Sequence, residues 1–180
     1  FLQKIIGKLQ NIEQFFVNFT IPMPKKNSIL LSKKFAGGVL MDMGPYIASI
    51  NRIFFNENLK NKSIIMKKNK KKLITSLDVY LRYETKIFTG TFRFGKDYKN
   101  EILIYLKDKY IELKRVFSPP DDIKLNIEIN TQDRLKIIQV KKDNCFENYL
   151  LEVFDNLKKK KYNFYHNRML EDENFRFKII

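Results

Sequence analysis

Between Leu77 and Leu113 the chain repeats with a period of two. Leu77, Val79, Leu81 and Tyr83 alternate with Asp78, Tyr80 and Arg82. Phe88, Phe92 and Phe94 alternate with Thr89, Thr91 and Arg93. Ile102, Ile104 and Leu106 alternate with Leu103 and Tyr105, and Ile111 and Leu113 continue the series. Successive side chains of a strand point to opposite faces, so each run makes a strand with one apolar face. The connections around YETK, FGKDYKN and LKDKY are too short for a crossover to a parallel neighbour. The chain is therefore committed to an antiparallel meander. The polar second face predicts that one side packs on helices and the other is solvated or meets a partner. Gly90 falls in the phenylalanine register, where the missing side chain leaves room for close packing.

The flanking segments extend this pattern. Residues 1–6 read as the tail of a helix that ends at Gly7. Lys8 to Thr20 reads as a strand apolar enough for a central position. Ile21 to Lys34 contains Pro22, Pro24 and Asn27 and reads as a loop, and NENLKNK (56–62) reads as a polar turn. Pro119 and Pro120 end the meander. Leu125, Ile127 and Ile129, then Leu135, Ile137 and Ile138, carry further strand pattern. From Asp143 to Lys161 the period changes: Phe146, Tyr149, Leu150, Val153, Phe154 and Leu157 follow the spacing of an amphipathic helix. The tail, Tyr162 to Ile180, is mixed and part helical. The fold class is α+β: a single domain over residues 1–180 with an open, mainly antiparallel sheet and helices packed on one face.

Within this frame, Phe35 to Phe55 (FAGGVLMDMGPYIASINRIFF) is the one stretch where polar, chemically capable residues sit at fixed spacing in an apolar run. At about 100° per residue, Asp42, Tyr46, Ser49 and Ile53 form one stripe of a helix. Met43, Ile47, Ile50 and Phe54 form a second, core-facing stripe. Pro45 is compatible only with a first turn, so the helix is expected to start near Asp42. Gly37 and Gly38 let other backbone or a ligand come close. Two readings stand side by side. Asp42 is a helix cap and Tyr46 an ordinary half-buried aromatic, or the pair forms the rim of a site.

The pattern G-G-x-x-x-D-x-G-x-Y resembles a motif of the glucose–fructose oxidoreductase/inositol dehydrogenase (Gfo/Idh/MocA) family. Three further segments resemble the family in order: IIGKLQNIEQFF (Ile5 to Phe16) its first strand after the nucleotide domain, RVFSPP (Arg115 to Pro120) the segment after the last hairpin of its sheet, and DNCFENYLLEVFDNL (Asp143 to Leu157) its late amphipathic helix. The resemblance implies the C-terminal domain of a two-domain oxidoreductase of sugars or ketosugars, including nucleotide-linked ones. It implies that NAD or NADP is held mainly by an N-terminal Rossmann domain, which this chain lacks. It implies Tyr46 as proton donor or acceptor, Asp42 as the residue that holds the substrate, and Gly38 beside them in the substrate site. It also implies homo-oligomers formed through the sheet face. The family's Glu-Lys-Pro motif has no match here, and this chain alone is expected to be inactive. Hydride transfer to a carbonyl needs a proton donor within hydrogen-bond reach. A free phenol, titrating near ~10, serves at neutral pH only with a cation nearby.

Composition narrows the rest. A net charge of +15 raises nucleic acid or an anionic surface as partners. Yet only seven of the 35 basic residues are arginine, the usual reader of phosphates and bases. The densest runs, Lys67 to Lys72 and Lys158 to Lys161, read as a solvated strand edge or turn and as a helix end. Nucleic acid is therefore disfavoured, and the alternative to the enzyme is a non-catalytic basic module that dimerises through its sheet and binds an anionic partner. No apolar run approaches the ~20 residues of a membrane span. The first residues do not form a signal peptide, and a start at Phe rather than Met reads as a fragment. The lone Cys145 has no disulfide partner, fits a reducing, cytoplasmic compartment and is expected to be a buried structural thiol. One cysteine and one histidine make no zinc site, and His166 is expected on the surface. No dinucleotide fingerprint or P-loop is present, and no carboxylate pair stands out for glycoside hydrolysis.

Overall fold

Strand β1 (Ile12–Ile21) lies at the middle of one eight-stranded sheet in the computed structural model, which describes residues 2–55 and 57–180. The other strands are β2 (Asn61–Lys68), β3 (Ile74–Arg82), β4 (Ile87–Phe94), β5 (Lys99–Leu106), β6 (Tyr110–Lys114), β7 (Leu125–Asn130) and β8 (Leu135–Val140). Their order is β2-β3-β4-β1-β5-β6-β7-β8. Every pairing is antiparallel except β1 with β4. The expected meander is thus two meanders, and β1 is the seam that joins them.

Register follows the alternation. Val17 of β1 stands opposite Gly90 of β4 on one side and Ile102 of β5 on the other. A Cβ on Gly90 would lie 2.6 Å from Phe92 and 3.0 Å from Phe88, so the missing side chain lets two buried rings close over it. Phe15, Leu77, Val79, Leu81, Phe88, Phe92, Ile102, Ile104 and Ile111 are all buried on this face. Lys67 and Lys68 end the edge strand β2 and the other lysines of that run fill the β2–β3 turn, as expected.

Two short helices open the chain's helical layer: α1 (Leu2–Ile6), closed by Gly7 at φ 77°, and α2 (Val39–Asp42). The main core helix is α3 (Gly44–Phe54). Its Met43–Ile47–Ile50–Phe54 stripe is buried, and Phe54 and Phe55 meet the Phe15 ring at centroid distances of 5.2 and 5.9 Å. The helix starts at Gly44 and not near Asp42. Continuing α2 through Pro45 would place the proline ring against the carbonyl of Met41 with no N–H to offer it, so the chain breaks at Met43.

Helix α4 (Cys145–Lys158) begins where Asn144 accepts a hydrogen bond from the Glu147 N–H, and α5 (Tyr162–Ile179) is continuous rather than part helical. Helix α5 packs on α3: Arg52 donates to Asp172 at 2.9 Å, Ser49 donates to Asp172 at 3.3 Å, and Ile179 is buried. Helix α4 meets α5 through Asn156, Glu152 and Tyr165, but none of its residues is buried. Cys145 is consequently exposed, contrary to expectation, because the helix that carries it does not reach the core. The Arg115–Pro120 segment also differs from expectation: it joins β6 to β7, so one more hairpin follows it. Among the described residues no helix is long and apolar enough to cross a membrane.

Candidate functional site

The glycine pair is explained by backbone packing. A Cβ on Gly37 would lie 2.6 Å from the Leu30 carbonyl oxygen, and one on Gly38 would lie 3.0 Å from that of Ile74. Gly38, at φ 109°, donates its N–H to Leu30 and accepts with its carbonyl from the N–H groups of Met41 and Asp42. Its polar groups are thus committed to the turn that starts α2, and it presents Asp42 by shaping that turn.

Asp42, the last residue of α2, is solvent-exposed at its surface side. Surrounding protein still removes enough water to raise its carboxyl above the ordinary value, and desolvation is the sole cause. No ion pair of Asp42 offsets this among the described residues.

Tyr46, in the first turn of α3, is half-buried between two rings. Phe19 of β1 meets it edge-on at 5.6 Å, and Phe117 lies at 4.7 Å. The phenol oxygen is 3.1 Å from the Ser118 hydroxyl, and either group can donate. No hydrogen bond joins Asp42 to Tyr46 among the described residues. The two belong to separate helices that meet at Met43.

The loop that carries Ser118 is held under constraint. Arg115 and Ser118 adopt left-handed backbone at φ 55° and 49°, conformations that non-glycine residues rarely hold unless their surroundings impose them. Asn100, 3% exposed, supplies the imposition. Its side chain donates to the Phe117 carbonyl at 2.7 Å and accepts from the Phe117 N–H at 2.9 Å, while its own carbonyl accepts from Arg115. A buried amide thus fixes a strained loop, and the loop fixes a ring and a hydroxyl against Tyr46.

A pair of hydroxyls beside aromatic rings can deliver or remove a proton at a substrate oxygen. Sequence reasoning missed Ser118, Phe117 and Asn100, because their partnership with Tyr46 spans more than fifty residues. The one local signal is Ser-Pro-Pro, which marks a loop, and loops carry function disproportionately. His166 is on the surface as expected, and among the described residues no His/Cys/Asp/Glu cluster suits a metal.

Comparison with known proteins follows from this geometry. No family profile matches the chain. A dTDP-3,4-didehydro-2,6-dideoxy-alpha-D-glucose 3-reductase of Streptomyces antibioticus is 24% identical over 145 residues, covering 79% of this chain and 43% of the reductase. A 3-ketoreductase of Actinomadura kijaniata, solved with TDP-benzene and NADP, superposes with a TM-score of 0.81 at 16% identity, over 99% of this chain and 55% of that one. A UDP-N-acetylglucosamine 3-dehydrogenase of Acidithiobacillus ferrooxidans superposes with a TM-score of 0.68 at 7% identity, over 88% of this chain and 48% of that one. The chain therefore spans about half the length of the relatives it matches. These relatives bear out the resemblance to Gfo/Idh/MocA-type sugar oxidoreductases, and the fold is that of their C-terminal part.

Proposed function

We propose that this chain is the substrate-binding and oligomerisation domain of an NADP- or NAD-dependent ketoreductase acting on a nucleotide-linked ketosugar. The observation that carries the reading is Tyr46: a phenol at the first turn of α3, clamped by two rings and joined to a second hydroxyl. The names of the three relatives, a dTDP-sugar 3-reductase, a 3-ketoreductase and a UDP-sugar 3-dehydrogenase, point to the same chemistry. The nicotinamide cofactor is held mainly by a nucleotide-binding domain elsewhere in a longer protein. A reduced nicotinamide held there supplies the hydride when bound.

The residues of this chain do the rest. As the carbonyl carbon gains the hydride, the carbonyl oxygen takes the electron pair, and Tyr46 gives that oxygen its proton. The ketone is reduced to an alcohol and the nicotinamide is oxidised. The phenolate recovers a proton from solvent through the Ser118 hydroxyl. Asp42 accepts a hydrogen bond from a neighbouring sugar hydroxyl and fixes the ring. Phe19 and Phe117 exclude water from one side of the phenol, which strengthens the proton-donating contact. The open sheet face, bearing Phe16, Leu103, Tyr80, Tyr105 and Tyr110, pairs with a second copy.

A Tyr46→Phe change in the complete polypeptide tests this. Turnover of the ketosugar should fall by about a hundredfold or more, with the melting temperature within a few degrees of the parent. Unchanged turnover would remove Tyr46 from the reaction.

A further inference from the structure

A second concave region lies on the other side of the glycine turn. Lys26, Lys33 and Lys71 line a cavity of about 440 Å³ together with Ser28, Ser32 and Phe35. Lys70 joins Lys26 and Lys71 around an adjoining hollow of about 290 Å³. Two separate segments build this region, the loop before α2 and the β2–β3 turn. Residues 14–41 and 58–77 contain no aspartate or glutamate at all. Lys25, Lys26, Lys33, Lys34, Lys67, Lys68, Lys70, Lys71 and Lys72 therefore have no carboxylate within their own segments, and none forms an ion pair among the described residues. Lys60 of the second segment reaches Glu84 outside it, and elsewhere Lys99, Lys114 and Lys159 each meet an acid. Unpaired cations around a concave, low-dielectric wall focus a positive potential into it.

We infer that this cradle binds the diphosphate of a nucleoside diphosphate, with the exposed Phe35 ring as the stacking surface for its base. The inference rests on the ketoreductase reading and deepens it. Three lysines match the charge of a diphosphate, and Ser28 and Ser32 add hydroxyls beside them. The volume lies in the range of small-ligand pockets. The cradle is also mechanically joined to the catalytic turn. Ile29 and Leu31 line it, the Ile29 carbonyl lies 2.7 Å from where a Gly37 Cβ would be, and Leu30 between them accepts the Gly38 N–H. A diphosphate seated here abuts the turn that presents Asp42. The same diphosphate chemistry belongs to a sugar nucleotide and to a dinucleotide cofactor.

Calorimetric titration of the complete polypeptide with thymidine diphosphate, NADPH and a thymidylate oligonucleotide separates these sources. The cradle variant is Lys26→Glu/Lys71→Glu, and the control of equal charge is Lys158→Glu/Lys160→Glu. The cradle variant should weaken thymidine diphosphate or NADPH by at least about tenfold, and the control by less than about twofold. Loss confined to thymidine diphosphate assigns the cradle to the sugar nucleotide, and loss confined to NADPH assigns it to the cofactor. Equal loss in both variants, or no binding of either nucleotide by the parent, overturns the inference. So does tighter, cradle-dependent binding of the oligonucleotide. Matching melting temperatures and the milder Lys26→Gln/Lys71→Gln pair exclude misfolding as the cause. Tyr46-dependent oxidation of NADPH by a ketosugar without a nucleotide, alongside equal losses in the cradle and control variants, would sink the cradle and leave the ketoreductase standing. Cradle binding with no such turnover would do the reverse.

Discussion

At the scale of single residues, Asp42 and Tyr46 are set apart by what surrounds them. Asp42 is a carboxylate held where water is partly removed and no cation compensates, so its pKa rises. The sign of the stability effect follows. A carboxyl whose folded pKa lies above its unfolded value begins to penalise the fold as pH rises through the unfolded pKa and does so fully above the folded pKa, because the ionised form is the disfavoured one. Asp42→Asn should therefore leave the melting temperature at pH 7 equal to or above that of the parent while ketosugar turnover falls. A lowered melting temperature with normal turnover would make Asp42 a structural residue. The spacing of Asp42, Tyr46 and the buried stripe was legible in the sequence, since helical periodicity is local. The helix break between them was legible in part: Pro45 marks a first turn, but the two-helix solution depends on Gly38 docking against Ile74, which is a tertiary contact.

Elements show the same division between local and long-range information. Strands β3 to β6 were readable from alternation, because one face had to be buried, whereas β2, whose first residues read as a polar turn, was not. The insertion of β1 between β4 and β5 was readable only as a central position for an apolar strand. Its parallel neighbour was invisible, since nothing local encodes which edges meet. The loop from Arg115 to Pro120 depends on Asn100. Asn100→Ala should cost about 1–3 kcal/mol through the unsatisfied Phe117 peptide groups and should lower turnover beyond what the lost stability explains, because Ser118 and Phe117 lose their places. Denaturant unfolding and steady-state kinetics on the same variant check both. A second buried feature ties the β3–β4 turn to the end of α3. Lys86, fully buried, pairs with Glu57 at 2.9 Å. Burial pushes the Glu57 carboxyl up, but hydrogen bonds from Thr85 and Lys86 outweigh it and hold the pKa at about 2, below the ordinary 4.5. This pair stabilises the fold above pH 4.5, and its contribution is lost as pH falls towards about 2. Glu57→Gln should cost about 3 kcal/mol at pH 7, since it removes the carboxylate charge that faces a buried ammonium. Its stability should also change less between pH 5 and pH 2 than that of the parent, as acid titration followed by circular dichroism would reveal.

For the molecule as a whole, the two faces of the sheet differ. One face buries the core and carries α3. The other presents Tyr80, Tyr105 and Tyr110, each more than a third exposed, around the Arg93–Asp78 ion pair. Such a face suits pairing with a second copy, and Tyr105→Glu/Tyr110→Glu should shift the protein to a smaller species in sedimentation. An unchanged sedimentation coefficient would place the contact elsewhere. The charge of +15 is likewise a property of the whole chain, yet it is unevenly distributed: the acid-free segments around the lysine cradle concentrate it beside the Gly37–Gly38 turn. The central claim, that this domain completes a hydride-transfer site at Tyr46, is tested most directly by isotope transfer. The complete polypeptide is given NADPH deuterated at the transferring position of the nicotinamide together with a nucleotide-linked 3-ketosugar, and the product is read by mass spectrometry. The account predicts one deuterium on the carbinol carbon with the parent protein and a rate reduced about a hundredfold with Tyr46→Phe. Product without deuterium, or labelling at the same rate in both proteins, would contradict it.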